Sequence, residues 1–394
     1  MSQLLNERWS ETKEALLEGL SGNRKSSMAV CLENTRRHLA ESATAGATSA
    51  GNVATLNRVI LPVIRRVMPT VIANEIIGVQ PMTGPVAQIH TLRVRYADDG
   101  NQVQAGEEAL SPFKIAAGYS GNNDSTTSPK ADTTSNLEGR PGKRMSIQIL
   151  KSPVEAKSRK LSARWTFEAA QDAQAQQGID IEAEIMAALA QEITAEIDQE
   201  ILASLRSLAS VEETYDQSLV SGTATFVGDE HAALAIQINR VSNLIAQRTR
   251  RGSGNWAVVS NQALTILQSA TTSAFARTTE GTFEAPTNTK FVGTLNGAMR
   301  IYVDAYMTDA SAQDSNQVLI GYKGSSEADA AAFYCPYIPL MSSGVVLDPA
   351  TFEPVVGFLT RYGYVELSNT ASSLGNAADY LGKVAITSAK VSFK

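Results

Sequence analysis

The first part of the chain carries apolar residues at three- and four-residue steps, a spacing that predicts a helix with one apolar face. This stripe consists of Leu4, Leu5, Trp9, Leu16, Leu17 and Leu20. Residues 42–52, SATAGATSAGN, are small and uncharged, which is typical of a flexible linker. The pattern therefore predicts a helical segment over residues 1–41, followed by a linker.

A longer helix is predicted to start at Gly178-Ile179-Asp180 and to run to about Leu208. Its large residues fall at every fourth position from 181 to 205. Since four helical residues turn about 400°, the apolar stripe shifts by about 40° per step. We therefore expect a helix that packs against several neighbours in succession instead of facing one partner.

Alternating apolar and polar residues predict two strands between residues 143 and 168. Beyond residue 230 the pattern is α/β, with further strands predicted at Trp256–Val259, Val318–Tyr322, Phe333–Leu340 and Val355–Leu367. Ser260 is the expected N-cap of a helix, and Asn296-Gly297 predicts a tight hairpin turn. Val391 and Phe393 predict a last strand. Residues 100–142 contain few large apolar residues, so we expect an extended loop without an independent core there.

Composition excludes several classes of function. The net charge of −6 disfavours a protein that binds nucleic acid tightly, since such proteins present basic surfaces. No window is long and apolar enough for a membrane span, and the N-terminus lacks the apolar region of a signal peptide. The two cysteines, Cys31 and Cys335, fit no metal or disulfide spacing, which predicts reduced thiols in a cytoplasmic product.

No pattern indicates catalysis. The three histidines, His38, His90 and His231, form no metal or triad motif. Residues 251–254 lack the lysine that completes a phosphate-binding loop. The acidic pair Asp98-Asp99 lies in turn-like sequence, where solvated carboxylates are common. The sequence therefore predicts no catalytic, cofactor-binding or metal site.

Several blocks of the chain together resemble the major capsid proteins of T-even-like tailed phages (myoviruses), which have the Hong Kong 97-type capsid fold. The first block is VILPVIRRVMPTVIANEIIGVQPMTGPVAQIHTLRVRY at 59–96. The others are Val154–Arg159, Ile179–Ile201, Arg251–Trp256, Gly321–Ala330, Tyr334–Tyr337 and Phe352–Gly363. In this order they are highly specific, and they cover roughly residues 54–370.

The resemblance implies an α+β fold and a division of the chain into domains. An N-terminal assembly segment at 1–41 would precede an N-arm at 42–65. A peripheral domain would comprise 66–99, 160–229 and 346–394, with a spine helix at 179–208. An extended loop without a full insertion domain would span 100–159, and an axial domain would span 230–345.

The implied function is structural. The chain would self-associate into hexameric capsomers of an icosahedral or prolate head shell that encloses the genome. Its partners would be other copies of itself, the vertex, portal and decoration proteins, the internal scaffold and the prohead protease, with double-stranded DNA contacted non-specifically and no membrane. It would lie in the virion capsid, and in the host cytoplasm during assembly.

Two sets of site residues follow from the resemblance. Leu39-Ala40-Glu41 fits the Leu/Ile-x-Glu pattern of T-even-like prohead proteases, which predicts a cut between Glu41 and Ser42. The triplets ending at Glu7 and Glu18 match too, but only Glu41 precedes small residues. The expected intersubunit contacts are Arg65, Arg66, Glu155, Lys157, Arg159, Arg251 and Arg361. We expect Arg159→Glu to weaken capsomer assembly while leaving the subunit folded.

Three alternatives stay open on the sequence alone. The paralogous vertex protein of the same family would form pentamers instead of hexamers. An encapsulin-like shell shares the fold, but the phage-type processing segment argues against it. An α/β hydrolase is the alternative from another class, and missing catalytic motifs disfavour it.

Overall fold

The structure, a computed structural model of the chain, describes only part of the sequence. The described residues are 9, 13–14, 16–17, 20, 22–45, 71–100, 103–107, 109, 118–121, 131–139, 141–177, 180–216, 227–249, 251–270, 275–277, 290–304, 306–307, 316–327, 329–351, 353–367 and 377–388. The predicted strand at Val391 and Phe393 lies outside these ranges.

The longest of the described helices lies in the middle of the chain. Within the described ranges they are α1 (Gly22–Ala45), α2 (Ala73–Ile76), α3 (Thr134–Leu137), α4 (Phe167–Gln177), α5 (Ile181–Leu208), α6 (Val227–Thr249) and α7 (Asn261–Ser269). The side chain of Asp180 accepts a hydrogen bond from the backbone N–H of Glu182, which satisfies a free donor at the start of α5. The prediction of a long helix ending at Leu208 is confirmed.

Within the part of the chain that the structure describes, the strands form three sheets. In chain order they are β1 (Gly78–Val79), β2 (Val86–Tyr96), β3 (Met145–Glu155), β4 (Lys157–Arg164), β5 (Val211–Asp216), β6 (Trp256–Val259), β7 (Phe275–Arg277), β8 (Lys290–Leu295), β9 (Met299–Val303), β10 (Gln317–Gly321), β11 (Ala332–Ser342), β12 (Val346–Leu347), β13 (Pro354–Glu366) and β14 (Leu381–Ser388). A five-stranded sheet has the order β1-β11-β13-β12, with β4 also paired to β13. A seven-stranded sheet has the order β5-β14-β10-β6-β9-β8-β7, and β2 pairs with β3. Most of these pairs are antiparallel, so the fold is α+β as predicted.

One hydrophobic core joins the two larger sheets through α5. Its buried residues include Ile193, Ile197 and Leu202 of α5, Val356 and Phe358 of the five-stranded sheet, and Trp256, Tyr302 and Leu319 of the seven-stranded sheet. Burial of each such side chain contributes about 1.5–3 kcal/mol. The apolar stripe of α5 therefore packs against successive partners, as its drift around the helix predicts.

Local signals predict the elements of the seven-stranded sheet well. The Ser260 hydroxyl accepts a hydrogen bond from the backbone N–H of Ala263 at 3.1 Å and so caps α7. Asn296 and Gly297 have φ angles of 53° and 71°, as a tight turn between β8 and β9 requires. Both predictions are confirmed.

Sheet membership differs from the predicted domain boundaries. The strands β5 and β14 belong to the seven-stranded sheet, although residues 160–229 and 346–394 were assigned to the peripheral domain. Strand β11 belongs to the five-stranded sheet, although residues 230–345 were assigned to the axial domain. Pairing between residues far apart in the chain decides which sheet a strand joins. The local alternation of apolar and polar residues does not reveal that pairing.

Helix α1 extends beyond the predicted N-terminal segment. It runs to Ala45, so residues 42–45 are helical where a linker was predicted. Alanine is the strongest helix former, so small residues in this stretch do not by themselves indicate a linker. Of the predicted linker, residues 46–52 lie outside the described residues.

Candidate assembly surfaces

The hairpin formed by β2 and β3 exposes apolar side chains along one face. Met145, Ile147 and Ile149 alternate along β3 and are 55%, 68% and 60% exposed. Val86, 59% exposed, pairs with Glu155 at the other end of β3 and lies on the same face. We call Val86, Met145, Ile147 and Ile149 the hairpin face.

The base of this hairpin is anchored in the five-stranded sheet. Val154 is buried with Met82, Phe333 and Cys335. Gly363 of β13 permits this approach, because a Cβ at that position would lie 2.4 Å from Cγ1 of Val154. The far end holds a small cluster of Tyr96, Val103, Ala109 and Tyr119, to which β2 contributes. The predicted loop at 100–159 therefore includes a long paired hairpin, and this cluster depends on the hairpin for its packing.

A second apolar surface follows β11. Val345, Val346 and Leu347 are 45%, 56% and 51% exposed. An adjacent cleft of about 420 Å³ is lined by residues 160–162, 341–343 and 357–359 of three neighbouring strands. Sequence reasoning missed this surface, and the run of three apolar residues after Gly344 was the available signal.

Arg159, a predicted intersubunit contact, is engaged within the subunit. Its guanidinium donates to Glu196 at 2.6 Å, to Glu200 at 2.5 Å and to the Tyr362 hydroxyl at 2.6 Å. Burial lowers the pKa of Arg159, but the hydrogen bonds to Glu200 and Tyr362, together with the charge interactions with the same two groups, bring it above its usual range. Burial raises the pKa of Glu200, yet its bonds to Arg159 and Tyr362 bring that pKa below the usual range. The guanidinium of Arg159 therefore joins β4 to α5 and β13. Because Arg159→Glu would break these contacts, the expectation that this variant leaves the subunit folded does not fit the geometry.

The other predicted contact residues are not brought together. Glu155 and Lys157 are exposed at the bend between β3 and β4. Arg251 donates to Asp329 at 2.6 Å, and the guanidinium of Arg361 lies 5.4 Å from the ring centroid of Tyr337. Arg65 and Arg66 lie outside the described residues. Glu155 and Lys157 therefore remain candidate charged contacts at this bend.

The predicted cleavage residues lie near the end of α1. The backbone of Leu39, Glu41 and Ser42 is helical, and the helix continues to Ala45. A protease cuts an extended chain, so the end of α1 must unwind before this bond can enter an active site. The sequence alone did not predict this requirement.

Few groups in the described ranges offer reactive chemistry. Cys31 and Cys335 are buried thiols, and burial raises the pKa of each to about 12, so both stay protonated. Within those ranges no cluster of three or more His, Cys, Asp or Glu side chains could hold a metal ion. The helices described there include none long and apolar enough to cross a membrane.

Open apolar surfaces of this kind are typical of proteins that bind other chains. A hairpin that projects one apolar face from an anchored base is poorly stabilised alone, since an isolated two-stranded sheet is marginal in water. The class indicated by the fold and its surfaces is a structural protein that assembles with other chains.

Comparison with known proteins identifies the family. The family described as Major capsid protein Gp23 matches residues 53–386. The major capsid protein of Vibrio phage KVP40 is 28% identical over 424 residues, which cover 84% of this chain and 80% of that protein. That of Enterobacteria phage T4 is 29% identical over 412 residues, covering 81% of this chain and 76% of that protein. Among solved structures, the mature capsid of bacteriophage PhiM1 aligns with 78% of this chain and 83% of that chain, at 14% identity and a TM-score of 0.46.

The chain therefore belongs to the Gp23 major capsid protein family of tailed phages. The predicted resemblance is confirmed, and the family places the protein in the virion capsid. Its members are structural proteins of the head shell, which confirms the expectation that this chain is not an enzyme.

Proposed function

We propose that copies of this chain form hexameric capsomers of an icosahedral or prolate shell, each subunit in the Hong Kong 97-type fold. The five-stranded sheet with α5 acts as the peripheral domain, and the seven-stranded sheet acts as the axial domain around the capsomer axis. Family membership and the order of helices and sheets support this arrangement.

The hairpin face is the observation that carries the proposal. Each hairpin lies across a neighbouring subunit and buries Val86, Met145, Ile147 and Ile149 there. Full burial of such a side chain contributes about 1.5–3 kcal/mol, and the exposed fractions leave part of that gain for association. Many moderate contacts of this kind add up in a closed shell, because each subunit binds several neighbours at once.

A charge substitution on the hairpin face tests this proposal. Ile147→Asp together with Ile149→Asp should leave the subunit folded, because both side chains are already exposed, and should abolish capsomers in size-exclusion chromatography. Ser146→Asp with Gln148→Asp is the matched control, since these exposed residues lie on the opposite face of the same strand. Equal assembly of the two double variants would rule out the hairpin face as an interface.

The partners of the shell are part of the same proposal. In the host cytoplasm the subunit meets an internal scaffold and a prohead protease, and the finished shell adds vertex, portal and decoration proteins. The net charge of −6 supports an inner surface that encloses double-stranded DNA and contacts it non-specifically. Glu155 and Lys157 are proposed charged contacts at the subunit rim, together with Arg65, Arg66, Arg251 and Arg361.

Proteolytic maturation after Glu41 completes the proposal. Leu39 and Glu41 would be read by the protease, and Ser42 would become the new N-terminus. Glu41→Ala should leave the full-length mass in purified particles, while Glu7→Ala and Glu18→Ala should still give the shortened chain. The intact mass of the chain from particles is the measurement, and cleavage of Glu41→Ala at an unchanged position would contradict the assignment.

A further inference from the structure

The N-terminal segment is packed into the core of the subunit. Met28, Cys31 and Leu32 of α1 are 1%, 0% and 0% exposed, and Leu16 and Leu17 are buried in the same cluster as α5 and the five-stranded sheet. Helix α1 therefore packs on the five-stranded sheet and shares its hydrophobic core with α5. The apolar stripe predicted from the sequence includes Leu16 and Leu17 but none of these three α1 residues, and the partner expected for the segment was the internal scaffold, not the subunit's own core.

Polar contacts fix the position of α1. The Asn34 side chain is 6% exposed and donates to the carbonyl oxygens of Met82 at 2.6 Å and Tyr337 at 3.1 Å. Arg24 forms an ion pair with Glu75. These bonds join α1 to β11 and to the segments on either side of β1, so both apolar and polar contacts define one bound position.

All of these anchors precede the proposed cut. The last of them, Asn34, lies seven residues before Glu41, about 10 Å along a helix at 1.5 Å per residue. A cut at Glu41 therefore breaks the covalent link and removes none of the anchoring contacts. Departure of the segment would expose its apolar face and leave two buried carbonyl oxygens without this donor.

We propose that the subunit carries a binding site for its own N-terminal helix, so that cleavage alone does not release the segment. The ligand is the cleaved peptide of residues 1–41, and its described contacts are those of Leu16, Leu17 and α1 with β11 and with the core that α5 shares. Cleavage and release are then two events, and the second requires the shell to change conformation. This inference concerns the maturation step of the proposed function, while the docking contacts stand independently of it.

An engineered cut tests the site without the natural protease. A recognition sequence for a site-specific protease is inserted within residues 46–51 of the full chain, and the purified protein is cut to completion. We expect both pieces in one native size-exclusion peak, identified by intact mass, and separate peaks in denaturant. Separation of the pieces under native conditions would overturn the proposal.

Variants show whether the observed contacts hold the fragment. Leu32→Glu should lose the fragment, while Lys25→Glu, on the exposed side of α1, should keep it. If Leu32→Glu does not fold, Asn34→Ala removes only the two hydrogen bonds and should speed fragment dissociation about tenfold, measured by exchange with labelled peptide. Unchanged dissociation of Asn34→Ala would contradict the docked position. Full-length chain in mature particles would refute cleavage at Glu41 and leave the docking result unaffected.

Discussion

Arg159 shows how one side chain connects three elements. It extends from β4 and bonds to two glutamates of α5 and to Tyr362 of β13. Hydrogen bonds between charged groups contribute more to stability than bonds between neutral groups. Loss of one charged partner leaves the remaining charged groups without an opposite charge. The three partners lie far along the chain from Arg159, so no local sequence pattern could have predicted them.

Charge reversal at this residue should destabilise the subunit itself. We expect Arg159→Glu to lower the free energy of unfolding by about 2 kcal/mol or more, because three acidic side chains would then face one another. Arg164→Glu is the control on the same strand, since Arg164 is 70% exposed and lies 3.7 Å from Glu353. Its effect should stay below about 1 kcal/mol. Denaturant unfolding of unassembled subunits measures both, and equal stability of Arg159→Glu and wild type would contradict the intrasubunit role.

Asp198 of α5 should make stability depend on pH. It is fully buried, its Oδ1 accepts from the backbone N–H of Ile72 at 2.9 Å, and its Oδ2 has no hydrogen-bond partner in the described part of the chain. Burial raises the pKa of Asp198 from 3.8 to about 7, opposed by the bond from Ile72 and assisted by the nearby Asp304. The folded state therefore holds this proton more tightly than the unfolded chain. The resulting stabilisation is complete below pH 3.8 and is lost as the pH rises through about 7.

Asp198→Asn should remove this dependence, because the amide stays neutral at every pH. The free energy of unfolding of the variant, relative to wild type, should rise by about 1.4 kcal/mol per pH unit between roughly pH 4 and 7. Denaturant unfolding at a series of pH values measures the difference. A constant difference across that range would show that Asp198 is already ionised in the folded protein.

At the scale of elements, the sequence predicts features that depend on neighbouring residues, but it does not predict features that depend on packing between distant segments. The cap at Ser260 and the turn at Asn296-Gly297 depend on neighbouring residues, and both were predicted. The alternation of Ile147 and Ile149 predicted a strand, yet alternation cannot tell a face that packs inside the subunit from one left open. The exposure of the hairpin face follows from the position of β3 in the fold, which alternation does not encode.

The helical end of α1 should limit the rate of maturation. Ala43→Gly lowers local helix stability by about 1 kcal/mol, which should increase the rate of cutting after Glu41 by up to about fivefold if unwinding precedes cleavage. Thr44→Ala strengthens the helix and should slow the cut. A time course of intact mass with the prohead protease compares the two variants. Equal rates would show that unwinding of α1 does not control this step.

At the scale of the whole molecule, the family could be predicted and the division into sheets could not. Blocks of sequence in a fixed order predict a capsid protein by themselves, and the family match confirms that prediction. The predicted domain boundaries followed the chain, whereas the five-stranded sheet combines strands from residues 78 to 366. Such pairing depends on which surfaces fit together in three dimensions, and a linear pattern does not contain that information.

The pairing of β1 with β11 has a consequence for the timing of synthesis. Gly78 pairs with Phe333, and β14 at residues 381–388 lies beside β10 in the seven-stranded sheet. A ribosome must therefore translate nearly the whole message before either sheet can close. Contacts so distant in sequence form slowly, and unpaired apolar strands are prone to aggregation while they wait. A cell that makes many shell subunits at once thus always contains unfinished chains whose strands lack the partners that are translated last.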